Sequence, residues 1–258
     1  MSISQEKNSD SLNHGTLSAK HASNSTVDEI TYIVEKYFSG FSDSGLELTE
    51  SKYFETVKAA QDELNDSNIA FKIVNEIKSD LSLFLRDTKY LIQSNLYLRA
   101  TRPIRSEEES IGWHRESFYG PNLEACANIW TPIKNVTKNN TLQYIPGSHL
   151  IEDKDIKTKR TVSPKTIKGD VRNKIGFLYE PKKIISGVDF NNSKPLLVPF
   201  GSSNIFWGSL IHGSADNNCE KIRFSVDFRV IADKDYNSLM AKKFHAASNK
   251  PYFLPFCP

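Results

Sequence analysis

Cysteine is scarce. Cys126, Cys219 and Cys257 are the three present in 258 residues, and they lie far apart, so neither a disulfide framework nor a thiolate zinc site is suggested. An excess of one charge is also missing: 33 Lys and Arg against 31 Asp and Glu leave a formal net charge of +2, which gives no electrostatic footprint for nucleic acid. The chain has no run of 18 apolar residues, so no stretch reads as a membrane span. It shows no apolar signal-peptide core at the N-terminus, and a reducing cytoplasm is the expected compartment. No repeat of fixed period is visible, which argues against a solenoid or a propeller.

What is present is ordinary globular material, 38% hydrophobic and 25% charged. The length suits one large domain. Residues 1–26 are rich in Ser, Asn and Lys and have little to bury, so they are expected to be a flexible N-terminal arm carrying His14 and His21 as solvated side chains. A single domain over 27–258 is expected to follow: a helical buttress at 27–87, a β core at 88–232 and a C-terminal extension at 233–258. That extension ends in aromatics and prolines and includes His245. It is a candidate either to pack on the domain or to form a subunit contact in a homodimer. The lysines between Lys154 and Lys168 are interrupted or flanked by acids and read as a solvated loop.

Helical periodicity places Ile30, Ile33, Val34 and Tyr37 on one face before a stop at Gly40, and predicts further helices around Ser51–Leu64 and Ser67–Arg86. After Asp87 the texture changes. "YLIQSNLYLRATRP", "ACANIWTPI", "LQYIP", "PLLVPFG", "SNIFWGSL" and "IRFSVDFRVI" are short strand candidates separated by Gly, Pro, Asn and Ser turns, which argues a sandwich or barrel.

The chemistry concentrates in "GWHRESFYG". On a strand, His114 and Glu116 would share a face, with Arg115 turned away. Two imidazoles and one carboxylate on one face bind non-haem Fe(II) with positions left open. His149, in "YIPGSH", and His212, in "WGSLIHGSADN", both sit in strand-to-turn contexts, and His212 is the better second imidazole on a distant strand. His-x-Glu is commonplace alone. Arg223 on the last strong strand adds weight, because a guanidinium fork suits a carboxylate bidentately; Ser214 and Ser225 are accessory hydroxyl donors.

Over Tyr90–Ile231, "YLIQSNLYLR", "GWHRE", "ANIWTPIKNVTKNNTLQYIPGSH" and "FWGSLIHGSADNNCEKIRFSVDFR" resemble, in order, the motifs of the phytanoyl-CoA dioxygenase-like Fe(II)/2-oxoglutarate oxygenases. The resemblance implies a mainly β double-stranded β-helix, or jelly-roll, with N-terminal helices packed on its major sheet. It implies His114, Glu116 and His212 as iron ligands, although relatives usually carry Asp where Glu116 stands. Arg223, assisted by Ser214, matches the arginine that holds the far carboxylate of 2-oxoglutarate; Trp130, Gln93 and Tyr97 match positions near that cosubstrate. His149 matches a histidine that is not a ligand.

The resemblance further implies an enzyme that couples O₂ and 2-oxoglutarate to oxidation of a small molecule, with hydroxylation as the default outcome. Phe118, Tyr119, Asn122 and Asn128 are candidate substrate contacts. With Arg115 and Ser117 nearby, they suit a polar metabolite, such as a sugar derivative or an amino-acid-like compound. Two other classes stand beside this reading: a cupin-type metalloenzyme that does not use 2-oxoglutarate, and a jelly-roll that binds without catalysing.

Overall fold

The computed structural model describes residues 13–103, 111–120, 123–160, 171–176, 182–237 and 251–256. Asn122, His245 and most of the basic stretch after Arg160 therefore lie outside the described residues. Three helices precede the main strands: α1 (Ser25–Phe38), α2 (Glu50–Asp66) and α3 (Ile69–Leu85). Thr49 caps α2 by accepting from Lys52 N. Asn68, in the left-handed region at φ 54°, separates α2 from α3. The apolar stripe read along α3 is buried at Ile69, Ile73, Val74, Ile77, Leu81 and Phe84.

The strands are β1 (Thr16–Lys20), β2 (Tyr90–Gln93), β3 (Tyr97–Thr101), β4 (Ala127–Lys134), β5 (Leu142–Tyr144), β6 (Lys157–Arg160), β7 (Lys182–Ser186), β8 (Lys194–Pro195), β9 (Ser202–Trp207), β10 (His212–Ser214), β11 (Arg223–Ala232) and β12 (Phe253–Pro255). Among the described residues, the major sheet runs β1-β9-β4-β11-β2-β12, with β3 also on β11. A minor sheet is β10-β5-β8, and β6 pairs with β7. The pairings are antiparallel.

Alternation along β11 divides the major sheet into two chemically different faces. Phe224, Val226, Phe228 and Val230 join Leu98, Ala100, Ile129 and Ile205 in the core beneath the helices. Arg223, Ser225, Asp227 and Arg229 fall on the opposite face, since the side-chain period of a strand is two. β4 loses register against β11 near Pro132, where Ser225 faces Pro132 and Phe224 faces Lys134. Pro132 has no N–H to donate, so a bulge is the ordinary accommodation.

Three expectations change. The arm expected to be flexible over 1–26 is ordered from Thr16: β1 pairs with β9, and Leu17 and Ala19 are buried. His21 is not solvated; its Nε2 lies 2.7 Å from Ser203 Oγ and its Nδ1 lies 2.9 Å from Glu76 Oε2. Composition missed this because two apolar side chains at strand spacing suffice when a sheet edge is waiting for them. "PLLVPFG" contributes only Pro195, the second residue of β8, because Pro195 and Pro199 cannot donate to a ladder. Lys157–Arg160, read as loop, forms β6 and remains largely exposed. At the other end of the chain, β12 adds to β2, so this part of the extension packs on the domain's own sheet. No helix among the described residues is long and apolar enough to cross a membrane.

Candidate metal centre

His114 is held to His212 by reciprocal backbone hydrogen bonds, His114 N to His212 O and His212 N to His114 O, each 2.9 Å. The two imidazoles are thereby brought to 4.3 Å between ring centroids. His114 and Glu116 do not lie on one strand as expected. Only this bridge is strand-like, and Glu116 opens a 3-10 turn that ends at Phe118. Arg115 between them is extended, at φ −134° and ψ 159°, so alternate side chains still share a side. Glu116 N donates to Gly208 O at 2.7 Å. A Cβ on Gly208 would meet Leu123 O at 2.4 Å and Glu116 Cβ at 3.2 Å, so this close approach requires glycine.

One donor atom from each of His114, Glu116 and His212 falls within 4.8 Å of the others, and all three residues are buried. Each imidazole has its Nδ1 near a carbonyl: His114 at 2.7 Å from Gly112 O and His212 at 2.9 Å from Leu210 O. A carbonyl only accepts, so each Nδ1 carries the hydrogen and each Nε2 keeps its lone pair for a metal. Burial, reinforced by His212, pushes the His114 pKa down to about 3. Burial likewise lowers that of His212. Burial works the other way on Glu116, but Arg229, His114 and His212 outweigh it and hold the carboxyl below its usual range. All three groups are thus in metal-binding protonation states at neutral pH.

Arg223, expected to hold the cosubstrate, lies on the polar face of β11. It is buried, and among the described residues its guanidinium donates to neutral partners only, Thr101 Oγ1 at 2.9 Å and Asn140 O at 3.2 Å. It forms no ion pair with a carboxylate among the described residues. Asp227, the strand-mate that could have neutralised it, instead pairs with Arg99 at 2.5 Å. Arg223 Nε has no hydrogen-bond partner among the described residues, nor do the buried Ser225 Oγ, Trp130 Nε1 and Asn204 Oδ1 on the same sheet face. A buried cation that makes hydrogen bonds only to neutral acceptors is costly, and a guanidinium fork of this kind suits a carboxylate.

The other expected site residues fall into different roles. Gln93 Oε1 accepts from Arg229 N and Nη1 at 3.0 and 3.2 Å, and the Tyr97 ring lies under the Arg99 guanidinium at 5.0 Å. Ser214 is half-buried on β10, where its N donates to Ile111 O. Asn128, expected to face substrate, donates to Glu116 Oε1 at 3.0 Å, which commits its amide to the metal carboxylate. Phe118 is packed among Ile145, Ile156, Ile184 and Ile211. Tyr119 lies edge-on to His114 at 5.5 Å. Arg115 points away from the imidazoles, with Nη1 on Ile151 O and Asp153 Oδ1 and Nη2 on Ser148 O. His149 packs against Gly15 and lies outside the metal triad.

One participant went unread in the sequence. Arg229 donates through Nε to Glu116 Oε2 at 2.6 Å, with Nη2 on the same oxygen. Its signal was the polar alternation Arg223, Ser225, Asp227, Arg229 on a central strand, which is unusual unless that face lines a site.

The sequence profile of the phytanoyl-CoA dioxygenase family (PhyH) matches residues 23–225. This chain belongs to that family. As a phytanoyl-CoA dioxygenase family member it is an Fe(II)/2-oxoglutarate-dependent oxygenase, and its two-imidazole, one-carboxylate donor set suits that metal. The double-stranded β-helix is shared with solved structures of low identity. AviO1 from Streptomyces viridochromogenes Tue57 is 15% identical with a TM-score of 0.56, over 90% of this chain and 97% of that one. EvdO2 from Micromonospora carbonacea var. aurantiaca, complexed with 2-oxoglutarate, is 17% identical with a TM-score of 0.54, over 90% and 92%. The non-haem α-ketoglutarate-dependent carbocyclase SnoK from nogalamycin biosynthesis is 12% identical with a TM-score of 0.54, over 99% and 97%. A search of curated proteins by sequence gives no match.

Proposed function

We propose that this oxygenase hydroxylates a C–H bond of a polar small molecule, such as a sugar derivative or an amino-acid-like metabolite, at the His114, Glu116 and His212 centre. The observation that carries the cosubstrate half of this reading is the buried Arg223 guanidinium, which lacks a carboxylate partner among the described residues. When bound, Fe(II), 2-oxoglutarate and O₂ supply the oxidising chemistry; the protein supplies position and electrostatics.

His114 and His212 present neutral Nε2 atoms, with their Nδ1 hydrogens on the carbonyls of Gly112 and Leu210. Glu116 stays ionised, steadied by Asn128 and Arg229. Arg223 would take the far carboxylate of 2-oxoglutarate, with Thr101 and the Ser225 hydroxyl close by on the same face. Phe206, edge-on to His212 at 4.7 Å, and the buried Trp130 keep water from the inner wall. On the outer side Tyr119 is the substrate contact we favour, because its ring lies beside His114 and is only partly buried. The charged and hydroxylated groups of this face, Arg99, Asp227 and Tyr97, suit a polar substrate better than an acyl chain. Ring closure and epimerisation, named for structural neighbours from nogalamycin biosynthesis, are the alternative outcomes of the same hydrogen removal.

The test is succinate release under air with Fe(II), ascorbate and 2-oxoglutarate. Succinate that disappears in His212→Ala and falls in Arg223→Met supports the proposal. Tight Fe(II) binding with no succinate for any polar candidate substrate would favour a metalloenzyme that does not use 2-oxoglutarate.

A further inference from the structure

We propose that Arg229 is a positioning residue that restrains Glu116 to a single metal-facing oxygen, so that one coordination position stays open that the carboxylate would otherwise close. The inference rests on the Fe(II)/2-oxoglutarate reading of the site and adds a requirement to it.

The two oxygens of Glu116 have different surroundings. Oε2 accepts from Arg229 Nε at 2.6 Å and also from Arg229 Nη2. Oε1 accepts one bond, from Asn128 Nδ2 at 3.0 Å, and lies 3.8 Å from His212 Nε2. Oε1 is therefore the oxygen turned to the imidazoles, and Oε2 is committed to the guanidinium. Arg229 is itself fixed from two other strands or their ends. Gln93 Oε1 on β2 accepts from its backbone N and its Nη1, and Tyr252, just before β12, accepts from Nη1 at 2.9 Å. A guanidinium held at both ends has little freedom to follow a carboxylate that rotates.

A glutamate with both oxygens free can bind a divalent ion through one oxygen or two. A chelating 2-oxo acid needs two positions and O₂ a third, so a two-oxygen glutamate would take a place that the reaction needs. Arg229 prevents this by occupying Oε2. The segment leading into β12 thereby supports the metal site through Tyr252.

The test uses Mn(II) alone in the full chain, counting exchangeable metal-bound waters by water-proton relaxation, and then 2-oxoglutarate affinity by titration. In Arg229→Met the carboxylate should close on the ion. The variant should carry about one fewer exchangeable water than the wild type and bind 2-oxoglutarate more weakly. Arg229→Lys, which keeps a donor for Oε2, should restore the wild-type count. If Arg229→Met does not fold, the double variant Gln93→Leu/Tyr252→Phe leaves the arginine in place but unsupported and should shift both readouts in the same direction. A wild-type water count together with wild-type 2-oxoglutarate affinity in a folded variant would overturn the inference. Absence of Mn(II) binding in the wild type would overturn the metal reading and this inference with it. Loss of Mn(II) in His114→Gln alone keeps the two failures apart.

Discussion

Arg223→Met separates the cost of this site from its use. The guanidinium is buried, and burial with the nearby Arg99 pulls its pKa down to about 10. A depression of that size disfavours the charged form by about 3 kcal/mol. The sign is fixed: at neutral pH the side chain is charged folded and unfolded, so the penalty is fully present, and it is relieved only as pH rises above about 10. Against it stand the hydrogen bonds to Thr101 Oγ1 and Asn140 O, at about 1 kcal/mol each. A methionine fills similar volume without a charge. The metal-free variant should therefore unfold in urea within about 1 kcal/mol of the wild type, on the more stable side if at all. Binding of 2-oxoglutarate should fall sharply, because removing one partner of a buried, hydrogen-bonded charge pair costs about 2–5 kcal/mol. At about 1.4 kcal/mol per tenfold, the middle of that range is a loss of about 100-fold or more, measurable by titration in the presence of Mn(II). A variant that loses about 3 kcal/mol of stability while binding 2-oxoglutarate within about threefold of the wild type would refute the reasoning, and would make Arg223 a structural residue.

Other outcomes follow from the same contacts. The His114 pKa is depressed to about 3, so the metal-free protein should lose stability as pH falls below about 6.5, where the unfolded imidazole takes up a proton and the folded one does not. His114→Gln should remove about 1.4 kcal/mol per pH unit of that slope near pH 5, read from urea melts at pH 7, 6 and 5. Gly208→Ala must displace Leu123 O or Glu116, and should cost about 1–3 kcal/mol and weaken Mn(II) binding. Gly40→Ala, with nothing within 4 Å, should be neutral or stabilising by about 0.5 kcal/mol and leave metal binding unchanged. Arg115→Met should cost about 1–3 kcal/mol of stability through the Ile151 carbonyl, whose side-chain donor it removes, while Ser148 O keeps the Ile151 N–H; a loss below about 0.5 kcal/mol would show that water replaces it.

The helices and most strands could be read in the linear chain because each has a period that its burial obeys. Ile69 to Phe84 mark one helical face, and Phe224 to Val230 one strand face. The metal triad was also legible, since His114 and Glu116 are close in sequence and His212 sits in a motif of its own. What could not be read depends on partners distant along the chain. The ordering of Thr16–Lys20 depends on an open edge of β9, and the burial of His21 on Glu76 and Ser203. Asn128 could be placed near the site, but its commitment to Glu116 needed the turn at Glu116–Phe118.

By itself, then, the sequence determined which faces of helices and strands are apolar, which side chains can bind a metal, and which strand carries arginines among its polar positions, because these depend on side-chain chemistry and local period. Only the tertiary structure decided that, among the described residues, Arg223 has no carboxylate partner while Arg229 has Glu116. Both arginines lie on one face of β11, but the turn at Glu116 reaches only Arg229 among them, and Asp227 pairs with Arg99, which β3 brings alongside only when the sheet forms.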